Sequence, residues 1–295
     1  MVDVFAFLIE PLPAGDAVTP LAGTFREVDA REPALRVGEL STQRGDGIFE
    51  TVAVINGYAQ EVEAHLARLQ RSAALCDLPA PHLPQWRAVV AQAVAALPRS
   101  GEFALRMVLS RGVEHGPAPT AWLTVAPSAD FAGAREWGIR VVTLERGYAH
   151  DLAERAPWLL LGAKTLSYAV NMAAIREARR RGADDVIFVS SDGFVLEGPT
   201  STVILRFGAQ IVTPRPSASI LHGTTQLSLF EHLQAQDTDS IYRDVPVADL
   251  VRADAAWLVS SVRLAAPITA IDDTPLPTRP DETAAFNEYL RSPRD

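Results

Sequence analysis

The chain has 295 residues, 48% of them hydrophobic, and a formal charge of 27 − 36 = −9. That is enough apolar chain to bury a core in one large domain or two smaller ones, and the acidic balance excludes the basic footprint of a nucleic-acid binder. Cys76 is the sole cysteine, which excludes an intrachain disulfide and any multi-cysteine metal centre; no run of about eighteen apolar residues offers a membrane span.

In chain order, MVDVFAFLIEP has no basic lead into its short apolar run and reads as a first strand, not a signal peptide. Phe49 to Ile55 alternate as a strand, and Asn56-Gly57 supplies a hairpin turn. On the helix that follows, Val62, Leu66, Leu69 and Ala73 form a buried stripe, with His65, Arg68 and Ser72 on another face. Cys76 closes that helix as a buried thiol. Phe103 to Ser110 alternate again and put Ala104, Arg106, Val108 and Ser110 on one strand face.

Residues 1–127 are predicted as a first α/β domain, 128–138 as a linker and 139–295 as a second domain. In the second, the apolar run Trp158 to Leu161 predicts a buried approach to a helix. Leu166, Val170, Ala173 and Ala174 form its inward stripe, and Gly182 lies past its end. Arg179, Arg180 and Arg181 read as the basic last turn of that helix. Helical and strand-like stretches alternate throughout, so the fold class is α/β, or α+β.

Lysine is the informative residue. Of the 27 basic residues, 26 are arginine, and Lys164 is the only lysine. A guanidinium stays protonated and forms no imine with an aldehyde, whereas an amine can lose its proton and become a nucleophile. A sequence that uses Arg for ordinary positive charge yet keeps one amine marks that amine as a candidate Schiff-base residue. Apolar chain flanks it in WLLLGAKTLSYAV, and burial there would favour the neutral amine.

From Gly45 to Ala266 the chain resembles the class IV aminotransferases, the fold-type IV pyridoxal 5'-phosphate (PLP) enzymes, in four blocks. GDGIFETVAVINGYAQEVEAHLARLQRSAALCDLP is similar to the family's opening strand, hairpin and helix. Arg68 matches the arginine of its HxxRL pattern, which binds the cofactor phosphate; paired planar donors suit a dianion. KTLSYAVNMAAIREARRRGADDVIFVSSDGFVLEG carries Lys164, then Tyr168 at the place of the tyrosine beside the PLP ring oxygen. It ends in Glu197, at the place of the carboxylate that pairs with the pyridine nitrogen. TSTVILRFGAQIVTPRPSASILHGTTQLSLFEHL resembles the strand, TP corner and helix start. There the resemblance implies that Thr224 and Thr225, with the NH groups after Gly223, hold phosphate. AAWLVSSVRLAAPIT is similar to the last strand, and Ser261 matches a further phosphate contact. Two positions depart from the pattern: His222 stands where many members have proline, and Thr202 where many have asparagine.

The resemblance implies PLP at the junction of two domains, a small-molecule amine as substrate and a homodimer. With the single thiol, it points to a cytoplasmic enzyme. ALRMVLSRGVEHG resembles the lyase pattern of a basic residue, three apolar residues and SRG. Arg106 or Arg111 is therefore a candidate for a substrate carboxylate, a structural salt bridge being the alternative for either. The leading expectation is aminodeoxychorismate lyase chemistry, releasing pyruvate and 4-aminobenzoate in the folate pathway; the alternative is transamination of branched-chain or D-amino acids. A PLP-binding scaffold without catalysis is disfavoured by the joint presence of Lys164, Tyr168 and Glu197. Thr51 is the candidate for the acid that assists the leaving group. No Walker loop, GxSxG elbow or metal-ligand spacing of histidines competes.

Overall fold

A computed structural model describes residues 4–216 and 219–295, which fall into two units. The first comprises Met1–Ala129, Ala163–Tyr168 and Pro293–Asp295. Its strands are β1 (Phe5–Ile9), β2 (Phe25–Asp29), β3 (Gly47–Ile55), β4 (Tyr58–Ala59), β5 (Glu102–Ser110) and β6 (Thr120–Pro127), with helices α1 (Leu40–Gln43), α2 (Val62–Leu75) and α3 (Leu83–Ala95). The sheet runs β2-β1-β6-β5-β3-β4 and every pair is antiparallel. The hairpin forms as expected: Ile55 pairs with Tyr58, and Asn56 and Gly57 take φ of 51° and 78°, the doubly left-handed turn this dipeptide favours.

Two readings of this unit change. β3 does not alternate; eight of its nine residues are buried, the polar Glu50 among them. On α2 the polar face is buried too: His65 is fully buried, and Arg68 and Ser72 nearly so. Cys76 is buried as expected, and burial, with the nearby Asp46 charge, pushes its thiol up.

The second unit comprises Asp130–Gly162 and Ala169–Ser292. It holds α4 (Ala132–Trp137), β7 (Ile139–Glu145), α5 (Leu152–Arg155), α6 (Ala169–Arg180), β8 (Asp185–Val189), β9 (Thr202–Phe207), β10 (Gln210–Pro214), α7 (Thr224–Ala235), β11 (Ser240–Arg243), β12 (Ala255–Ser260), β13 (Leu264–Ile271), β14 (Thr274–Pro275) and α8 (Pro280–Arg291). The strand order is β11-β10-β9-β12-β13-β7-β8, with β14 on β13. The pairs β10–β11, β13–β7 and β7–β8 are parallel and the others antiparallel. Period-two alternation splits neighbours between two cores. Val141 and Ile187 join Leu205, Leu258 and Ile268 on one face; Val142, Val186 and Phe188 meet Ala174 and Ala178 of α6 on the other.

Three boundaries differ from the sequence reading. The first unit ends at Ala129, two residues from the expected edge, but the stretch Ala163–Tyr168 belongs to it and not to the second unit. The expected linker over 128–138 contains α4. The apolar approach is not buried: Trp158 is 74% exposed, and Val170, placed on the inward stripe, is 60% exposed. Ala174 and Ala178 carry the buried face of α6 instead, because small side chains let the helix approach β7 and β8 closely. Among the described residues no helix is long and apolar enough to cross a membrane.

Candidate active site

In the first unit, Lys164 sits on a short extended segment zipped onto the start of β3. Phe49 N donates to Lys164 O at 3.0 Å, Leu166 N donates to Gly47 O at 2.8 Å, and Ile48 and Thr165 form an isolated bridge. Lys164 N donates to Ser72 Oγ at 3.1 Å, so a hydroxyl from α2 fixes the lysine backbone. The side chain is half-buried over an aromatic floor. Nζ stands 4.6 Å from the Phe49 ring centroid and 5.8 Å from that of Tyr168; the two rings meet edge-on, 5.2 Å apart. The Arg106 guanidinium lies 5.6 Å from the same Phe49 ring. Lys164, Tyr168 and Arg106 are thus gathered around one side chain.

Arg68 is held on α2 in a buried ion pair. Its Nε and Nη2 donate to the two carboxylate oxygens of Glu50, both at 2.7 Å, and His65 Nδ1 lies 2.7 Å from Glu50 Oε2. All three side chains are at most 6% exposed. Burial alone would push the Glu50 carboxyl up; the Arg68 guanidinium, its hydrogen bonds and His65 outweigh burial and hold it below the usual carboxylate range. The fork fixes the plane of the guanidinium, which free rotation would otherwise leave undefined.

Arg111 is placed differently. Its Nε donates to Asp46 Oδ2 at 2.7 Å, and its Nη atoms donate to the Asp77 and Cys76 carbonyls at 3.1 and 2.7 Å. These bonds tie the end of β5 to the end of α2, which is the structural-salt-bridge reading of this residue. Thr51 lies inside β3, opposite Arg106 in the β3–β5 register.

In the second unit, Gly223 caps α7 at φ −71°, and a Cβ there would stand 2.3 Å from Thr202 Oγ1. Only glycine lets the chain pass that hydroxyl, and the first NH groups of α7 follow directly. Thr224 and Thr225 are nearly fully buried, and Thr225 Oγ1 lies 3.2 Å from Ser261 Oγ. Two hydroxyls and a helix N-terminus therefore converge, the donor set a phosphate dianion takes. Glu197 follows β8 across a tight reversal: Phe188 N donates to Glu197 O at 2.9 Å, and Leu196 N to Phe188 O at 2.9 Å. Leu221 N donates to Glu197 Oε2 at 3.3 Å, so the carboxylate is anchored to the loop that leads into α7.

The residues the sequence reading missed are Phe49 and Glu50. Glu50 carried a signal: a carboxylate inside the apolar strand GIFETVAVI needs a buried cation, and α2 presents one. Phe49 carried none, since an aromatic in a strand is ordinary.

A family model for amino-transferase class IV matches residues 47–271. The chain belongs to the class IV aminotransferase family. Among curated relatives, this family member is 49% identical over 258 residues to the bifunctional aminodeoxychorismate lyase / D-amino acid transaminase of Mycobacterium tuberculosis, covering 84% of this chain and 89% of that one. Among solved structures it resembles the fold IV transaminase CpuTA1 of Curtobacterium pusillum, with TM-score 0.92 and 47% identity over 98% and 99% of the two chains. An aminotransferase of M. tuberculosis solved in a PLP-bound form matches with TM-score 0.86 and 44% identity over 97% of each chain.

Proposed function

We propose that this class IV family member cleaves aminodeoxychorismate to pyruvate and 4-aminobenzoate, with PLP as cofactor, and that the same residues transaminate D-amino acids. The carrying observation is the placement of the Lys164 amine and the Arg106 guanidinium on one Phe49 ring. An amine that can hold an aldehyde stands near a cation that can hold a carboxylate, and both substrates are amines bearing a carboxylate. The M. tuberculosis relative, named for both activities, supports pairing them.

The residues present fit PLP. A phosphorylated pyridine aldehyde needs an amine, a dianion cradle and a carboxylate. Lys164 is the amine. Arg68 of the first unit is a residue that would hold phosphate, as are Thr224, Thr225 and Ser261 of the second, where a Cβ on Gly223 would meet Thr202 Oγ1. Glu197 is the carboxylate for the ring nitrogen, and Tyr168 serves the ring oxygen. When bound, PLP draws electrons away from the carbon that carries the substrate nitrogen. Lys164 would supply the amine that holds the aldehyde and, once free, the base for the proton on that carbon. Arg106 holds the substrate carboxylate. Its position over Phe49 leaves Arg111, engaged on three oxygens, as a brace.

The test is 4-aminobenzoate release from aminodeoxychorismate by PLP-loaded protein, beside Lys164→Ala. Lysine-dependent release at about one per second or faster is expected; release no faster than in the variant rejects the lyase. D-alanine with 2-oxoglutarate tests the second reaction in the same preparation. We also propose a homodimer, supported by the exposure of Trp158 (74%) and Leu159 (47%); sedimentation as a monomer at micromolar concentration would overturn it.

A further inference from the structure

The turn between β12 and β13 is short. Ser260 pairs with Leu264, which leaves Ser261, Val262 and Arg263 to reverse the chain. The first of them sets its hydroxyl 3.2 Å from Thr225 Oγ1, at the start of α7. The last is buried, with 9% of its surface exposed, and its Nη1 donates to Asp185 Oδ2 at 2.6 Å. Asp185 is a fixed point: it opens β8, is buried, and pairs in register with Val141 of β7. Its other carboxylate oxygen accepts from Val186 N at 2.8 Å. All of these residues belong to the second unit.

The turn needs such a point. Leu264 is buried at φ 65°, a left-handed conformation that crowds the Cβ of a leucine and persists only where the surroundings impose it. Glycine would adopt it freely; this chain keeps leucine and places a buried cation directly before it. Among the described residues Asp185 is the hydrogen-bond partner of that side chain, since Nε and Nη2 are buried and make no bond. Neither charge of a buried pair can exchange its partner for water, so the contact holds the chain that carries it. One end of the turn thus touches the start of α7, and the other is pinned to β8.

Resting on the reading that Ser261 holds the cofactor phosphate, we propose that Arg263, pinned by Asp185, is a positioning residue for that contact. The ion pair keeps the turn in its left-handed conformation and so keeps the Ser261 hydroxyl against Thr225. A hydroxyl placed in advance loses little freedom when a phosphate arrives, whereas one on a relaxed turn has to be ordered at binding. In Arg263→Met the turn relaxes and Ser261 drops out of the donor set. Arg263→Lys keeps the charge without the planar guanidinium and recovers part of the contact.

The experiment titrates wild type, Ser261→Ala, Arg263→Met, Arg263→Lys and the Ser261→Ala/Arg263→Met double variant with PLP and with pyridoxal, which lacks the phosphate. Visible absorption gives each Kd, and the ³¹P shift of bound PLP reports the phosphate surroundings. Ser261→Ala and Arg263→Met are each expected to weaken PLP about tenfold, the loss of one charge-assisted hydrogen bond. The double variant is no weaker than either single one, because both residues act on one contact. The Kd for pyridoxal changes less than about threefold throughout, and the ³¹P shift moves alike in the two single variants. Should Arg263→Met fail to fold, Arg263→Met combined with Asp185→Leu takes its place, since replacing both charges of a buried pair by apolar groups tends to keep stability. Failure of wild type to bind PLP, or undiminished PLP affinity in Ser261→Ala, overturns the phosphate reading and the inference with it. With Ser261→Ala weakened as expected, three results overturn the inference alone: unchanged PLP affinity in Arg263→Met, an equal loss for pyridoxal, or additive losses in the double variant.

Discussion

Glu50 holds Arg68 by two parallel hydrogen bonds of 2.7 Å inside the first unit. Both partners are buried, so neither charge has water to fall back on. Glu50→Gln keeps the shape and removes the charge, leaving a buried guanidinium short of its counter-ion. The variant is expected to lose about 3 kcal/mol in denaturant unfolding. PLP affinity weakens with it, because the guanidinium plane is no longer fixed. Unchanged stability would show that the pair contributes nothing net.

The same pair sets a pH dependence. The folded pKa of Glu50 lies below its unfolded value, so its stabilisation is complete above the unfolded pKa of about 4.3 and is lost as pH falls through the folded value. Wild type should therefore lose stability below about pH 4 more steeply than Glu50→Gln. Parallel acid limbs in the two proteins would contradict this assignment.

Gly223 separates a steric cause from a backbone one. Its φ of −71° is open to any residue, so an added methyl acts only through Thr202 Oγ1, 2.3 Å from where it would stand. Gly223→Ala is expected to weaken PLP binding about tenfold or more by displacing the start of α7. Thr202→Ala in the same chain restores most of it, a coupling a double-mutant cycle reads directly. Thr202, the position that departs from the family's asparagine, thus sets the steric limit at the start of α7.

Arg106 and Arg111 should part company. Arg106 is exposed on β5 beside Phe49, and Arg106→Gln is expected to raise KM for carboxylate substrates with little change in stability. Arg111→Gln loses bonds to Asp46, Cys76 and Asp77 and costs about 1 kcal/mol after screening at a partly exposed site, with KM unchanged. The reverse pattern would exchange their roles.

What was legible in the chain was local. Asn56-Gly57 made its turn because the dipeptide alone tolerates two positive φ angles. Lys164 stood out because no other lysine competes with it. Less legible was everything decided by packing at long range. That Lys164 joins the first unit depends on backbone bonds to Gly47 and Phe49, more than a hundred residues earlier. The hydrophobic run at Trp158 predicted burial, yet composition says only that a side chain is apolar, not what covers it. That Arg68 on α2 meets Glu50 of β3 was not legible from the spacing of either segment.

The most direct measurement is reduction of the PLP-loaded protein with borohydride, followed by peptide mass spectrometry. With one lysine in 295 residues, the expected result is a single phosphopyridoxyl adduct on the peptide containing Lys164. No adduct, or an adduct confined to the α-amino group, would contradict the assignment of Lys164 as the cofactor-binding amine.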